Sequence, residues 1–244
     1  PYSYRAPHSY VDTNVTGTLN VLEAVRHQDV PRLVHTSTSE TYGTAQTVPI
    51  TEDHPINTQS PYAASKAGGD RLADSYHASF GLPVVTLRPF NTFGPRQSMR
   101  AVIPTVIGQV AAGQRTITLG DLRPTRDFSY VKDTVAAFRA VGTAPAGAVL
   151  GRTFNSGTGE EISVGDLVTL IGKLMDADLD VQEDPARVRP AASEVMRLVC
   201  DSSRLRAATG WSPAHTLEEG LREAIAFFRD PVNLGRYKTG IYNV

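Results

Sequence analysis

Between residues 62 and 88 the chain reads as a helix, a stop and a buried strand, and that order constrains the fold more than any other feature. Tyr62 to Phe80 is helical in pattern and ends at Gly81, the residue type that most easily takes the left-handed conformation past a helix C-terminus. Pro83-Val84-Val85-Thr86-Leu87-Arg88 follows, a β-branched run typical of a parallel strand. The same order stands upstream. Tyr10 to Arg26 places Val11, Val15, Leu19, Val21, Leu22 and Val25 near helical spacing, with Asp12 and Thr13 near its start, and Pro31 to His35 reads as a short buried strand. Helix, strand, helix, strand predicts an α/β fold with a doubly wound sheet.

The second half is cut into shorter pieces. A helix is expected over Ile103 to Ala112 after the break at Pro104, a strand at Ile117 to Leu119, a helix over Lys132 to Val141 and a short run at Thr153 to Asn155. Helices at Val164 to Met175 and Leu217 to Phe228 complete it, the pattern of a smaller α/β unit packed on the first. With 244 residues and 41% hydrophobic side chains the chain suffices for one large domain or two small ones.

Charge narrows the partners. The formal net charge is −1, so no broad basic field marks a nucleic acid or an anionic membrane as the main partner, although a few arginines suffice for a small anion. Cys200 is the only cysteine, which rules out an intrachain disulfide, and no Cys/His cluster has zinc spacing; Cys200 is expected as a buried small hydrophobe and no metal is expected. No stretch approaches the roughly 18 apolar residues of a membrane span and PYSYRAPHSY lacks a signal-peptide core, so a cytoplasmic protein is the default expectation. The chain begins at Pro1 without Met, and residues upstream are expected.

In open α/β sheets function gathers at the carboxyl ends of the strands. STSETYG (Ser37 to Gly43) follows the first strand and RPFNTFGPR (Arg88 to Arg96) runs off the second, so both loops fall on one edge of one sheet. Tyr62 and Lys66 in SPYAASK stand four apart and share a helix face. An ammonium beside a phenol favours the phenolate and makes tyrosine a usable base; the spacing alone is equally that of a surface pair.

A Ser/Thr-rich strand end, then YxxxK, then RPxNxxGP, in that order, resembles the extended short-chain dehydrogenase/reductase family, in its nucleotide-sugar epimerase and dehydratase branch. TNVTGTLNVLEA (Thr13 to Ala24), TRDFSYVKD (Thr125 to Asp133) and the segment Thr209 to Leu221 match as well, and the likeness runs from Pro1 to about Phe228. It implies a Rossmann-type doubly wound parallel sheet, N-terminally incomplete, with a smaller C-terminal α/β substrate lobe. Residues 1–98 would be the C-terminal part of the NAD-binding domain, with segments near 116–160 returning to it, and residues 99–244 mainly the lobe for a nucleotide diphosphate sugar. The family's G-x-x-G-x-x-G turn and ribose-binding acid precede the region matching Pro1. The chain as given is expected to bind NAD poorly or not at all, with on the order of 80 to 90 residues missing upstream.

By the same resemblance Thr38 matches the hydroxyl that bonds the sugar O4, Tyr62 with Lys66 the base, and Glu40 the carboxylate that dehydratases use at C5; Ser39 stands where an acid often precedes it. Ser37, Tyr62, Lys66 and Pro89 are the expected cofactor contacts, and Asn91, Val102, Ile103, Arg126 and Arg189 the expected substrate contacts, with Ala101 to Pro104 lining the nucleotide pocket. Arg126 is alternatively a structural partner of Asp127, and Asn91 a turn cap. Trp211 is expected in the core, His35 as a satisfied strand histidine, His54, His77 and His215 at the surface, and Asp53, Asp70 and Asp74 as solvated charges. The implied activity is a lyase reaction, NAD-dependent 4,6-dehydration of a nucleotide hexose to its 4-keto-6-deoxy form. UDP-glucuronate decarboxylase, 4-epimerase and a non-catalytic fragment or scaffold remain as alternatives. Relatives pair the helices matching Tyr10 to Arg26 and Tyr62 to Phe80 across a twofold axis, so a homodimer is expected.

Overall fold

The structure, a computed structural model, describes residues 2–242. The chain opens with α1 (Tyr2–Arg5) and α2 (Pro7–Val11), passes through one π-helical turn (Asp12–Thr16) and continues as α3 (Gly17–His27). β1 (Leu33–Thr36) leads through a 3₁₀ turn (Ser39–Tyr42) and a long loop to α4 (Pro61–Phe80), β2 (Val84–Pro89) and β3 (Asn91–Phe93). Next come α5 (Val102–Ala111), β4 (Thr116–Leu119), β5 (Thr125–Arg126), β6 (Phe128–Tyr130), α6 (Val131–Thr143), α7 (Ala146–Val149) and β7 (Thr153–Ser156). The last third holds β8 (Ile162–Ser163), α8 (Val164–Met175), β9 (Asp180–Glu183), α9 (Ser203–Thr209), α10 (Leu217–Arg229) and α11 (Pro231–Leu234).

β1, β2 and β7 form a parallel sheet in that order, with Leu33 opposite Val84 and Leu87 opposite both Thr36 and Phe154. Side chains alternate along β2. Val85 and Leu87 face α6 and α9 and bury against Ala137, Val141, Phe154, Leu205 and Trp211. On the other side α3 and α4 cover the sheet, where Leu22, Val25 and Leu82 are buried. The two helices approach closely because Gly69 lacks a side chain: a Cβ there would lie 2.9 Å from the Asn14 carbonyl oxygen and 3.1 Å from Thr18 Oγ1. Helices on both faces of a parallel sheet make the expected doubly wound arrangement.

The lobe has its own core. β4 pairs in parallel with β9, and α5, α8 and α10 bury Ile103, Val106, Ile107, Ile117, Leu167, Ile171, Leu221 and Phe228 around that pair. The expected return of 116–160 to the main sheet therefore begins later. Thr116 to Leu119 stays in the lobe because the side chains of Ile117 and Leu119 fill its core, while α6 and β7 do rejoin the sheet. β3 and β6, paired in parallel from Asn91 and Phe128, stitch the two regions together. Pro104 does not delay α5, which starts at Val102; in the first turn a missing N–H breaks no intrahelical bond. Among the described residues no helix is long and apolar enough to cross a membrane.

Candidate active site

The end of β1 and the start of α4 build one corner of the candidate site. Past β1, Thr38 is extended (φ −154°, ψ 148°) and caps the following 3₁₀ turn: its Oγ1 accepts from the Glu40 N–H at 3.3 Å and its carbonyl from the Thr41 hydroxyl at 2.9 Å. That turn buries Ser39, Thr41 and Tyr42 and leaves Glu40 half-buried. Facing it, Ser60 caps α4 by accepting from Ala63 N–H at 3.1 Å, and Pro61 occupies the first helical position. Tyr62 thus lies in the first turn of a 20-residue helix, where the helix dipole favours negative charge.

These groups meet in a cleft with two arms. The smaller, about 390 Å³, is lined by Thr38, Ser39, Glu40, Tyr62, Pro89 and Asn91, and by Ser3, Tyr4 and Tyr10 from the start of the chain. The larger, about 590 Å³, runs over the lobe past Ala101, Val102, Ile103, Arg126, Arg187 and Glu194. Glu40, Tyr62, Asn91, Thr92 and Arg189 line both arms. Among the described residues Glu40 makes no ion pair at contact distance; its carboxylate stands where the arms join and acts on Arg126 through space. Thr38, Ser39, Glu40, Tyr62, Pro89, Asn91, Val102, Ile103, Arg126 and Arg189 are therefore brought to one cleft.

Ser37 and Lys66 are placed differently from expectation. The Ser37 hydroxyl points inward and donates to Asp70 Oδ2 at 2.6 Å, so it lines neither arm. Lys66 donates its ammonium to the Thr36 carbonyl and lines a separate groove with Asn14, Thr18 and Val34. β1 is the outer strand of its sheet, and because Leu33 N–H and Ser37 N–H bond to β2, the Thr36 carbonyl faces the free edge. The Lys66 ammonium rests on that acceptor. The Tyr62 phenol is pushed up, first by burial, against a hydrogen bond with Thr38 that lowers it, and further by Glu40, Tyr10 and Asp70. Lys66 itself is pushed down by burial, with Asp70 opposing. The expected lowering of Tyr62 by Lys66 is absent from this arrangement.

Arginines dominate the larger arm. Arg126, 8% exposed, donates to the Thr125 carbonyl at 2.9 Å and to Glu194 Oε1 at 3.3 Å. It does not pair with Asp127, whose carboxylate accepts from the N–H groups of Thr158, Gly159 and Cys200. Arg189 Nη1 approaches the same Glu194 oxygen at 3.7 Å. Burial pushes Arg126 down, while Glu40 and Glu194 hold it up.

Asp70 corrects another expectation. It is 1% exposed, not solvated, and accepts from Ser37, from Arg88 Nε at 3.2 Å and from Arg88 Nη2 at 2.9 Å, with His35 Nε2 at 3.0 Å. Arg88 continues to the Tyr42 hydroxyl at 2.9 Å, which donates to Asn155 Oδ1 at 2.8 Å. His35 is satisfied as expected. His54 is buried rather than at the surface, and its Nε2 accepts from the Gln46 N–H at 3.0 Å. His77 and His215 are half-buried, His215 with its Nδ1 2.8 Å from Asp133. Trp211 and Cys200 are in the core. The sequence reading missed Tyr4, Tyr10, Thr92, Gln97, Arg187 and Glu194 as cleft residues. Three tyrosines within the first ten residues were a signal for the first pair; the loop holding Arg187 and Glu194 has no periodicity to read.

Comparison with known proteins gives the family. The family described as GDP-mannose 4,6 dehydratase matches residues 1–224. A dTDP-glucose 4,6-dehydratase of Xanthomonas campestris pv. campestris is 34% identical over 242 residues, 93% of this chain and 68% of the relative. A UDP-glucose 4-epimerase of Mycolicibacterium smegmatis is 36% identical over 221 residues, 89% of this chain and 68% of the relative. The crystal structure of DesIV, a dTDP-glucose 4,6-dehydratase from Streptomyces venezuelae with NAD bound, superposes with a TM-score of 0.85 at 29% identity, covering 97% of this chain and 71% of that one. The cleft at the strand ends, the YxxxK helix that borders it and these matches place the chain in the GDP-mannose 4,6 dehydratase family of extended short-chain dehydrogenase/reductases, as an enzyme of the dehydratase and epimerase kind.

Proposed function

We propose that the protein catalyses NAD-dependent 4,6-dehydration of a nucleotide diphosphate hexose. The observation that carries this reading is Glu40: a carboxylate outside any ion pair among the described residues, at the junction of both arms and beside Tyr62 and Thr38. Epimerisation at C4 needs a hydroxyl and a phenol there, whereas elimination across C5 and C6 also needs a base for the C5 proton.

The residues fit the reactive end of a nicotinamide cofactor. Tyr62 and Pro89 line the smaller arm at the strand ends, and Lys66 stands one turn along α4 with its ammonium on a single backbone carbonyl that ligand hydroxyls can replace. NAD, when bound, supplies the acceptor for the C4 hydride and returns it at C6. Tyr62 takes the C4 hydroxyl proton, and Thr38 bonds the same oxygen as its charge changes. Lys66 must exchange the Thr36 carbonyl for a position nearer the phenol to offset the burial that now holds its proton on. Glu40 removes the C5 proton, made acidic by the adjacent ketone, and the C6 hydroxyl departs as water, protonated by Glu40 or through the Ser39 hydroxyl. Asn91 faces the sugar from the other side. Arg126 and Arg189 bind the diphosphate in the larger arm, and Val102 and Ile103 pack against the nucleoside.

Ser39 favours a second reading, 4-epimerisation, because a serine hydroxyl is a weak acid where the elimination wants a proton donor. One assay separates them. The protein is incubated with NAD and candidate nucleotide hexoses and the products are weighed: loss of one water with a 4-ketone supports dehydration, while an epimer of unchanged mass, or a pentose from a glucuronate substrate, refutes it. A homodimer through the outer faces of α3 and α4, where Val21 and Phe80 are each 49% exposed, belongs to the same proposal.

A further inference from the structure

Glu194 occupies the place where the larger arm would receive an anion. Its Oε1 lies 3.3 Å from Arg126 Nη2 and 3.7 Å from Arg189 Nη1, so one carboxylate oxygen faces two guanidinium groups. Side-chain exposures of 9% for Arg126 and 14% for Glu194 set that pair below the surface, in the wall of the arm, with Arg189 at 33% on its open side. The backbone around it is fixed. The Glu194 N–H donates to the Pro190 carbonyl at 3.1 Å, and its own carbonyl accepts from Gln59 Nε2 at 3.3 Å and from the Thr44 hydroxyl at 3.5 Å. The main chain is held by three bonds, whereas among the described residues both side-chain contacts are to arginines of the cleft. A change of side-chain rotamer therefore frees both guanidinium groups without moving the loop.

A buried guanidinium beside a second, half-buried one needs a counter-charge, and burial already pushes Arg126 down with Arg189 adding to that push. Glu40 supplies part of it from across the cleft, and Glu194 supplies the part in direct contact with both guanidinium groups. A diphosphate supplies more of it, with planar oxygen pairs suited to guanidinium forks.

We propose that Glu194 is the exchangeable counter-ion of the anion subsite: it holds the Arg126 and Arg189 guanidinium groups ready while the arm is free, and swings out when a diphosphate docks. The inference rests on the reading of this arm as the diphosphate site. Docking is then an exchange of anions, and the displaced carboxylate lowers affinity, which speeds release of the nucleotide product.

The test is calorimetric titration of inorganic pyrophosphate, and separately of UDP and TDP, into the wild-type protein and Glu194→Gln. Loss of the competing charge should tighten pyrophosphate binding about tenfold. Equal or weaker pyrophosphate binding by E194Q, with UDP or TDP still bound by the wild type, overturns the exchange and leaves the diphosphate site standing. Failure of every anion to bind either protein overturns both. Should E194Q show no cooperative melt, Glu194→Asp, which keeps the charge but draws it back by one methylene, should also bind pyrophosphate more tightly than the wild type; equal or weaker binding overturns the exchange.

Discussion

Replacing Asp70 by Asn should cost more stability than any substitution of a surface acid, because of where its charge sits. The Asp70 carboxylate meets Ser37, His35 and two nitrogens of Arg88 within 2.6–3.2 Å, at 1% exposure, and Arg88 is itself 2% exposed. An amide keeps the shape and part of the bonding but leaves the guanidinium buried without its counter-charge. Breaking a buried pair on one side costs about 3–5 kcal/mol. For a chain of this size each kcal/mol shifts the melting midpoint by roughly 2–4 °C, so Asp70→Asn should melt roughly 6–20 °C lower at neutral pH. Asp74→Asn, which removes an exposed pair with Arg71 at 3.1 Å, should cost less than about 1 kcal/mol. Acid adds a second check. Burial pushes the Asp70 carboxyl up, but His35, Arg88 and Ser37 outweigh it and hold it below its ordinary value. A depressed carboxyl contributes stability that is present above the unfolded value, about 3.9, and disappears as pH falls through the folded value. The gap between wild type and Asp70→Asn should therefore narrow as pH drops below about 4. Thermal melts followed by circular dichroism measure both. A midpoint within about 2 °C of wild type at neutral pH, or a gap that widens in acid, refutes the reasoning.

Glu40→Gln should lower formation of the 4-ketone product by about 10²-fold or more while nucleotide binding persists, as followed by product mass and by titration with UDP; full turnover removes Glu40 from the chemistry. Burial holds the Tyr62 proton on, so the rate should climb toward alkaline pH and Lys66→Met should move that climb higher still; a pH–rate profile that is flat and unaltered by the substitution contradicts both roles. Gly220→Ala would set a Cβ 2.7 Å from Phe93 Cζ and 2.9 Å from Tyr130 Cδ2, between rings that cannot both retreat, and should cost about 1–3 kcal/mol in a denaturant titration; a neutral effect shows that the α10 contact is looser than drawn.

Much of the main sheet was legible because its signals are local. Periodicity, the Gly81 boundary and the β-branched run of β2 lie within a few residues of what they specify, so α4 and β2 fall within a residue or so of expectation. Partners distant in sequence were not legible. Ile117 to Leu119 reads as a strand, but nothing nearby says that its neighbour is Asp180 to Glu183 rather than the main sheet. Ser37 reads as the first residue of a catalytic loop, yet strand alternation at the end of β1 turns its hydroxyl to Asp70. For Asp70 the signal was present and unused. It follows Tyr62 and Lys66 on the same four-residue row of α4, so a charge there faces the sheet that the row packs on. The geometry of Lys66 lay beyond any sequence signal, since it depends on a carbonyl left free at the outer edge of β1.

Both halves of the proposed chemistry are registered on α4, and this explains why polar groups so far apart in sequence are tied to it. At its N-terminus the Ser193 hydroxyl bonds the Gln59 carbonyl, and Gln59 Nε2 in return donates to the carbonyls of Ala192 and Glu194. The loop that carries Arg189 and Glu194 thus hangs on the residue just before the Ser60 cap, two positions from Pro61 and three from Tyr62. Two turns further on, about 12 Å along the axis, Asp70 pins the same helix to β1 through Ser37 and to β2 through Arg88. A helix held at both points acts as a fixed spacer between the phenol, the strand-end carboxylate and the arginines. Loosening the buried anchor at Asp70 should therefore disturb positioning as well as stability, because Asp70 is the point at which the helix carrying Tyr62 is bonded to the ends of β1 and β2.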